Sequence, residues 1–116
     1  MVSYDTDYGG IVPKGQVDAS ITRKIVLLCE QPSRVTFTES ATFGYMQAGL
    51  TKTGALLCIQ DHIDAGGVVV QTIQRSTGKP AYEMFFPVNS VKYYVKVQFH
   101  GAANDMVTIS FHPAKW

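Results

Sequence analysis

Apolar and polar residues alternate with a period of two along much of this chain. The pattern is clearest in VKYYVKVQFH (residues 91–100), where Val, Tyr and Phe at the odd positions face Lys, Tyr, Gln and His at the even ones. Because successive side chains of a strand point to opposite faces of a sheet, this alternation predicts a half-buried β-strand. VDASITRKIVLLC (residues 17–29) has the same alternation, broken only at Arg23. We therefore predict a long first strand there.

Several shorter segments also read as strands, and stretches rich in Gly, Pro, Asn, Asp or Ser separate them. We find no sustained helical period, although SATFGYMQAGLTKTG (residues 40–54) could hold a helical turn or a bulged strand. About seven strands separated by turns favour an all-β fold, an immunoglobulin-like two-sheet β-sandwich. The shorter strand-like segments are SRVTFTE, GALLCIQ, GGVVVQTIQR, AYEMFF and MVTISFH.

With 116 residues the chain is most simply one domain. Residues 1–16 are rich in glycine and predict an N-terminal extension or loop, and residues 17–116 form the predicted sandwich domain. No apolar run approaches the ~20 residues of a membrane helix, so we expect no membrane insertion. No signal-peptide pattern is visible, which fits either a cytosolic protein or a mature secreted one.

Two cysteines, Cys29 and Cys58, end or interrupt apolar segments. A bond between them would close a loop of about 30 residues and stabilise the fold by roughly 3–4 kcal/mol. Two buried, reduced thiols are the alternative reading. We favour the disulfide, and with it a secreted or cell-surface location.

Known catalytic and metal-binding patterns are absent from the sequence. It has no nucleophile elbow, no zinc-protease motif and no phosphate-binding glycine loop, so we expect no enzyme, no metal and no cofactor. His62 in QDHID reads as part of a surface turn. His100 and His112 are both at polar positions of the alternation in the last two predicted strands. Two ligands alone do not make a zinc site.

Aromatic residues outside the core rows are the remaining candidates for contacts. Exposed rings suit sugar stacking or a partner's pocket, although such rings also cover loops and sheet edges. Lysines and tyrosines interleave in VKYYVK as on a nucleic-acid-binding sheet, but a net charge of +1 argues against a nucleic-acid partner. The candidate ligand-contact aromatics are Tyr4, Tyr8, Tyr45 and Trp116.

The long segment VDASITRKIVLLC, the pair Cys29 and Cys58, and the final strand MVTISFHP together resemble bacterial fimbrial subunits of the chaperone–usher route. The resemblance implies an immunoglobulin-like pilin domain whose missing strand comes from a neighbouring subunit by β-strand addition. The expected partners are then other subunits of the same assembly, with a host receptor or glycan also in view.

The resemblance and the long strand lead to one function hypothesis and one alternative. We expect a non-enzymatic extracellular fimbrial subunit or adhesin, in which residues 25–29 form a core strand and residues 17–22 an exchanging edge. The alternative is a carbohydrate- or receptor-binding module of a toxin or of a viral or phage surface protein. The apolar residues of the proposed strand-exchange edge are Val17, Ala19 and Ile21.

Overall fold

The structure, a computed structural model, describes residues 16–114 and is a mixed α/β fold with a single sheet. The expected all-β two-sheet sandwich is therefore wrong. The helices occupy most of the first half of the described chain, and four of the five strands follow in the second half. The elements in chain order are α1 (Ala19–Cys29), a 3-10 turn (Pro32–Arg34), β1 (Val35–Phe37), α2 (Glu39–Gln47), α3 (Lys52–Asp64), β2 (Val70–Gln74), β3 (Lys79–Val88), β4 (Val91–His100) and β5 (Asp105–Pro113).

The segment expected to be the long first strand forms helix α1 instead. Asp18 caps this helix, because its side chain accepts hydrogen bonds from the backbone N–H groups of Ser20 and Ile21. Ile21, Ile25 and Cys29 are four residues apart and therefore lie on one face of the helix. This face packs into the core, where Ile25 is fully buried. The proposed strand-exchange edge is thus wrong as well, since Ala19 and Ile21 lie in the helix and Val17 precedes it.

Threonine caps begin the other two helices. Thr38 accepts a hydrogen bond from the N–H of Ala41 at the start of α2, and Thr51 accepts one from Gly54 at the start of α3. GALLCIQ, expected to be a buried strand, is therefore the centre of α3. His62, expected in a surface turn, lies in the last turn of this helix.

The five strands follow the order β1-β5-β4-β3-β2. β1 runs parallel to β5, and every other neighbouring pair is antiparallel. The expected strand at residues 91–100 is confirmed with the same limits. Asn89 and Ser90, both at positive φ, make the two-residue turn between β3 and β4, as type I′ hairpins require.

The helices pack on one face of this sheet. The helix-facing side chains of β3, β4 and β5 are buried with residues of all three helices in one hydrophobic core. None of the helices between residues 16 and 114 is long and apolar enough to span a bilayer. The largest fully buried side chains include Phe111, Ile25, Leu56, Ile59 and Met84.

Both cysteines are on helices and both are free thiols. Cys29 is buried at the end of α1, and Cys58 is partly buried on α3. The structure therefore gives no support to the expected disulfide, nor to the secreted location that was inferred from it.

Candidate functional site

The second face of the sheet carries polar and aromatic side chains, and no helix among residues 16–114 packs on it. The strand register places alternate residues of β3, β4 and β5 on this side. Most of them are partly or fully exposed. We call this surface the open face and define it by Lys79, Glu83, Phe85, Lys92, Tyr94, Lys96, Gln98, Ser110 and His112.

Three rings from three neighbouring strands form a row across the open face. The ring of Tyr94 on β4 lies between those of Phe85 on β3 and His112 on β5, with centroids 5.4 and 5.2 Å away. The pairs are tilted by 53° and 40°. The register explains the row, because Tyr94 is directly opposite both Phe85 and His112. Cross-strand neighbours on one face come within about 5 Å.

Glu83 and Tyr94 are joined by a hydrogen bond from the tyrosine hydroxyl to Oε2 of the carboxylate. Burial, followed by this hydrogen bond and the negative charge of Glu83, raises the pKa of Tyr94 above its ordinary value of 10.0. Tyr94 therefore remains a neutral donor at physiological pH. Its ring and the Glu83 carboxylate hold each other in place.

Lysines supply the positive charge of the open face. Lys96 donates a hydrogen bond from Nζ to Gln74 at 2.9 Å, and Lys92 places its Nζ 5.4 Å from the centroid of the Phe85 ring. With Lys79 they make three cations against the single carboxylate of Glu83. Lys79 begins β3 and Lys92 is opposite Pro87 near its other end, so the three charges are spread along the open face.

A cavity of about 480 Å³ opens beside Glu83 and Phe85, next to the pair of Val70 and Glu83 with which the contact between β2 and β3 begins. Phe85 and Lys92 line it from the sheet, and His62 reaches it from the end of α3. The His62 ring lies close against Gly67, since a Cβ on that glycine would be only 2.2 Å from a ring carbon. Glycine at this position therefore makes room for the imidazole.

His112 is oriented by its own backbone surroundings. Its Nδ1 lies 2.8 Å from the carbonyl oxygen of Pro113, and a carbonyl can only accept a hydrogen bond. Nδ1 is therefore the donor in this hydrogen bond. The side chain is exposed at the end of the ring row.

The aromatic residues expected to contact a ligand do not form this site. Tyr45 is buried in the core, with 9% of its surface exposed, and its ring packs against Phe37 and Phe111. Tyr4, Tyr8 and Trp116 lie outside the described residues.

The histidines and cysteines do not form a metal site within residues 16–114. No group of three potential metal ligands comes together there. His100 is opposite Asp105 in the sheet and His112 is opposite Tyr94, so the two histidines stay apart. Burial raises the pKa of the Cys58 thiol, which disfavours the nucleophilic thiolate.

Sequence reasoning placed Tyr94 and the lysines of β4 on one polar face but did not predict their partners. Glu83 is eleven residues from Tyr94 and His112 is eighteen, so only the strand order and register bring the three together. The signal in the sequence was the alternation of polar and apolar residues in the segments AYEMFF, VKYYVKVQFH and MVTISFH. If these segments pair in sequence order, their polar rows fall on a common face.

No protein-family model matches the chain, and no curated protein or solved structure shows significant similarity to it.

Proposed function

We propose that this protein binds single-stranded RNA across the open face of its sheet. The row of rings formed by Phe85, Tyr94 and His112, with Lys92 and Lys96 beside it, carries the proposal. Proteins that bind single strands combine aromatic side chains, on which bases stack, with cations that follow the phosphates. A sheet covered by helices on one side and bearing rings on the other is a suitable platform for this contact.

The net charge of +1 argued against a nucleic-acid partner. The distribution of charge over the surface weakens this argument. A phosphate backbone responds to the cations near its path rather than to the sum over the protein. Three lysines accompany one carboxylate on the open face. Arg34 and Asp105, on the neighbouring rim, neutralise each other through an ion pair of 2.8 Å.

The cavity beside Glu83 adds a place for one base. Its volume of about 480 Å³ is within the range of roughly 300–1,000 Å³ that small-molecule sites occupy. Phe85 offers a ring at its wall, and Glu83 offers a hydrogen-bond acceptor. A base seated here would extend the row of rings toward β2.

The expected fimbrial or adhesin function stays a prediction, as does the receptor-binding alternative. The first relied on a sandwich with an exchanging first strand, and that segment is helix α1. The second relied on exposed aromatic residues, of which Tyr45 is buried and the other three lie outside the described residues. The open face supports RNA binding more directly, because its rings and lysines are present without any added strand.

Fluorescence anisotropy of a labelled single-stranded RNA of mixed sequence tests the proposal. Removing the Phe85 ring in Phe85→Ala should weaken binding about 5- to 150-fold, since stacking on a ring contributes roughly 1–3 kcal/mol per base. Lys92→Ala should also weaken binding. It should lower the salt dependence by about 0.7 in the slope of log K against log salt, the value for one phosphate contact.

Two matched variants away from the open face provide the control. Phe43 on α2 is 64% exposed, and Lys52 begins α3, so Phe43→Ala and Lys52→Ala remove a ring and a charge elsewhere. Both should bind RNA as the wild type does. Absence of binding at low salt, or equal losses in the two sets of variants, would exclude the open face as an RNA site. Duplex RNA and single-stranded DNA of the same sequence define the selectivity.

A further inference from the structure

We infer that the cavity beside Glu83 selects guanine from the single strand held on the open face, with the carboxylate accepting hydrogen bonds from two N–H groups of that base. The inference rests on the proposed RNA binding and names the base that the same site recognises. It starts from three groups that line one cavity, namely the carboxylate of Glu83, the ring of Phe85 and the ammonium group of Lys92.

The apolar part of the cavity can hold the flat face of a base. Phe85 supplies an aromatic ring, and Val68 and Val70 supply aliphatic surface. Contact between a base and a ring is favourable for every base, because every base has a π-face. The apolar walls therefore give affinity, and the identity of the base must be read by the polar groups.

Glu83 is an acceptor held in one orientation. The hydroxyl of Tyr94 donates a hydrogen bond to its Oε2, and the residue is partly buried beside Val70 at the start of the pairing between β2 and β3. A carboxylate has about four acceptor positions, and the bond from Tyr94 uses one of them. Glu83 can therefore accept two further N–H groups from a ligand without moving.

Lys92 is a donor at the other end of the same cavity. Its Nζ lies 5.4 Å from the centroid of the Phe85 ring. An ammonium group only donates hydrogen bonds, and a carboxylate only accepts them. A ligand that meets both groups must therefore present N–H groups toward Glu83 and acceptors toward Lys92.

The strand register places these two groups on opposite sides of Phe85. Glu83 precedes Phe85 by two residues on β3, and Lys92 is opposite Pro87, two residues beyond Phe85. Alternate residues of a strand share a face and are about 7 Å apart. A base lying over the Phe85 ring therefore has one edge toward the carboxylate and the opposite edge toward the ammonium group.

Guanine is the base whose two edges match this arrangement. Its Watson–Crick edge carries the adjacent donors N1–H and N2–H, and its opposite edge carries the acceptors O6 and N7, to which lysine commonly donates. Adenine in the same pose would turn the acceptor N1 toward Glu83 and an amino hydrogen toward Lys92. Cytosine and uracil have C–H groups on the edge away from their Watson–Crick edge. Such unmatched groups reduce affinity, which is how a site discriminates.

Fluorescence anisotropy of labelled RNA strands tests the inference on the wild-type protein. The strands are oligouridines about eight nucleotides long, within the usual site sizes, and they differ only at the central nucleotide. Guanosine at the centre should bind about 10- to 150-fold tighter than inosine, which lacks the N2 amino group and therefore one hydrogen bond to a charged acceptor. Adenosine, cytidine and uridine should bind at least as weakly as inosine.

Two substitutions assign the contacts, and the readout is a ratio of Kd values, so a general change in affinity cancels. Glu83→Gln should reduce the preference for guanosine over inosine to less than about threefold, since a neutral amide replaces the charged acceptor. The wild type should prefer guanosine to 7-deazaguanosine, which lacks N7, about 3- to 10-fold. Lys92→Met should remove this second preference.

Glu39→Gln is the matched control. Glu39 is exposed in the first turn of α2, so this variant removes a carboxylate away from the cavity. It should retain both preferences of the wild type.

The outcomes separate this inference from the proposed function. Equal Kd values for all central nucleotides, or a preference for another base, would overturn the choice of guanine and leave RNA binding intact. A preference for guanosine over inosine that persists in Glu83→Gln would overturn the inference too, because other groups would then read the base. Failure to bind any single strand would remove both proposals together. The series of strands requires no variant, so it decides the matter even if Glu83→Gln does not fold.

Discussion

Replacing Gly44 by alanine tests how closely helix α2 approaches strand β5. A Cβ at this position would lie 1.6 Å from the carbonyl oxygen of Phe111 and 2.8 Å from its carbonyl carbon. Ordinary contact begins at 3.4 Å, so helix and strand would have to separate by about 2 Å. Both clashing partners are backbone atoms, and no rotamer change can relieve them. The separation would also loosen Tyr45 and Ala41, which α2 buries.

We expect Gly44→Ala to lower the free energy of unfolding by at least about 3 kcal/mol. Overpacking of a core commonly costs roughly 1–3 kcal/mol, and a clash with backbone belongs at or above the upper end. This loss exceeds the ~0.5–1 kcal/mol that alanine gains over glycine inside a helix. With an m-value of about 2 kcal/mol per molar urea, the midpoint falls by about 1.5 M or more.

Gly54→Ala is the matched control for this measurement. Gly54 is also helical, but an added Cβ there would meet its nearest atom, the Thr51 hydroxyl oxygen, at 3.4 Å. This variant should be as stable as the wild type or more stable by about 0.5–1 kcal/mol. If Gly44→Ala unfolds within about 0.5 kcal/mol of the wild type, the close packing of α2 on β5 is wrong.

Three further predictions concern polar groups outside the open face. Thr108 has a fully buried hydroxyl without a hydrogen-bond partner among the described residues. Thr108→Val should therefore raise the free energy of unfolding in urea by about 1 kcal/mol. A loss of stability would show that the hydroxyl has a partner. Burial raises the pKa of the Cys29 thiol from 9.0 to about 12, so the unfolded chain ionises first. The contribution of this thiol to the free energy of unfolding is complete below pH 9 and is lost as pH rises toward 12. Cys29→Ala should flatten this decline in stability. An equal decline in both proteins would contradict the assignment to Cys29. Arg34→Met breaks the half-exposed ion pair with Asp105 and should cost at most about 1 kcal/mol, less in high salt; an undiminished cost in high salt would argue against an ionic origin.

Strand β4 was predictable from the sequence because its apolar and polar residues alternate strictly and turn residues bound it. Residues 91–100 alternate over their whole length, and Asn89 and Ser90 supply the positive φ angles of the preceding hairpin. Local geometry decides both features. The pairing of β1 with β5 was not predictable, since a strand of only three residues joins a partner far along the chain.

The helices were missed because their apolar residues fit two periods. In VDASITRKIVLLC the odd positions are almost all apolar, which predicted a strand, yet Ile21, Ile25 and Leu28 also share one helical face. The β-branched residues of this segment favour a strand slightly. The Asp18 cap and burial against the sheet outweigh that preference, and GALLCIQ behaves in the same way behind its Thr51 cap.

The sequence by itself determined which side chains share a face of a strand, because that depends only on the alternation of neighbouring residues. It thereby placed Tyr94 with Lys92 and Lys96 on a polar side of β4. Only the tertiary structure decided that helices cover the opposite side and that Glu83 and His112 flank Tyr94. These contacts join residues distant along the chain, and their geometry follows from strand order and register, which no local pattern specifies.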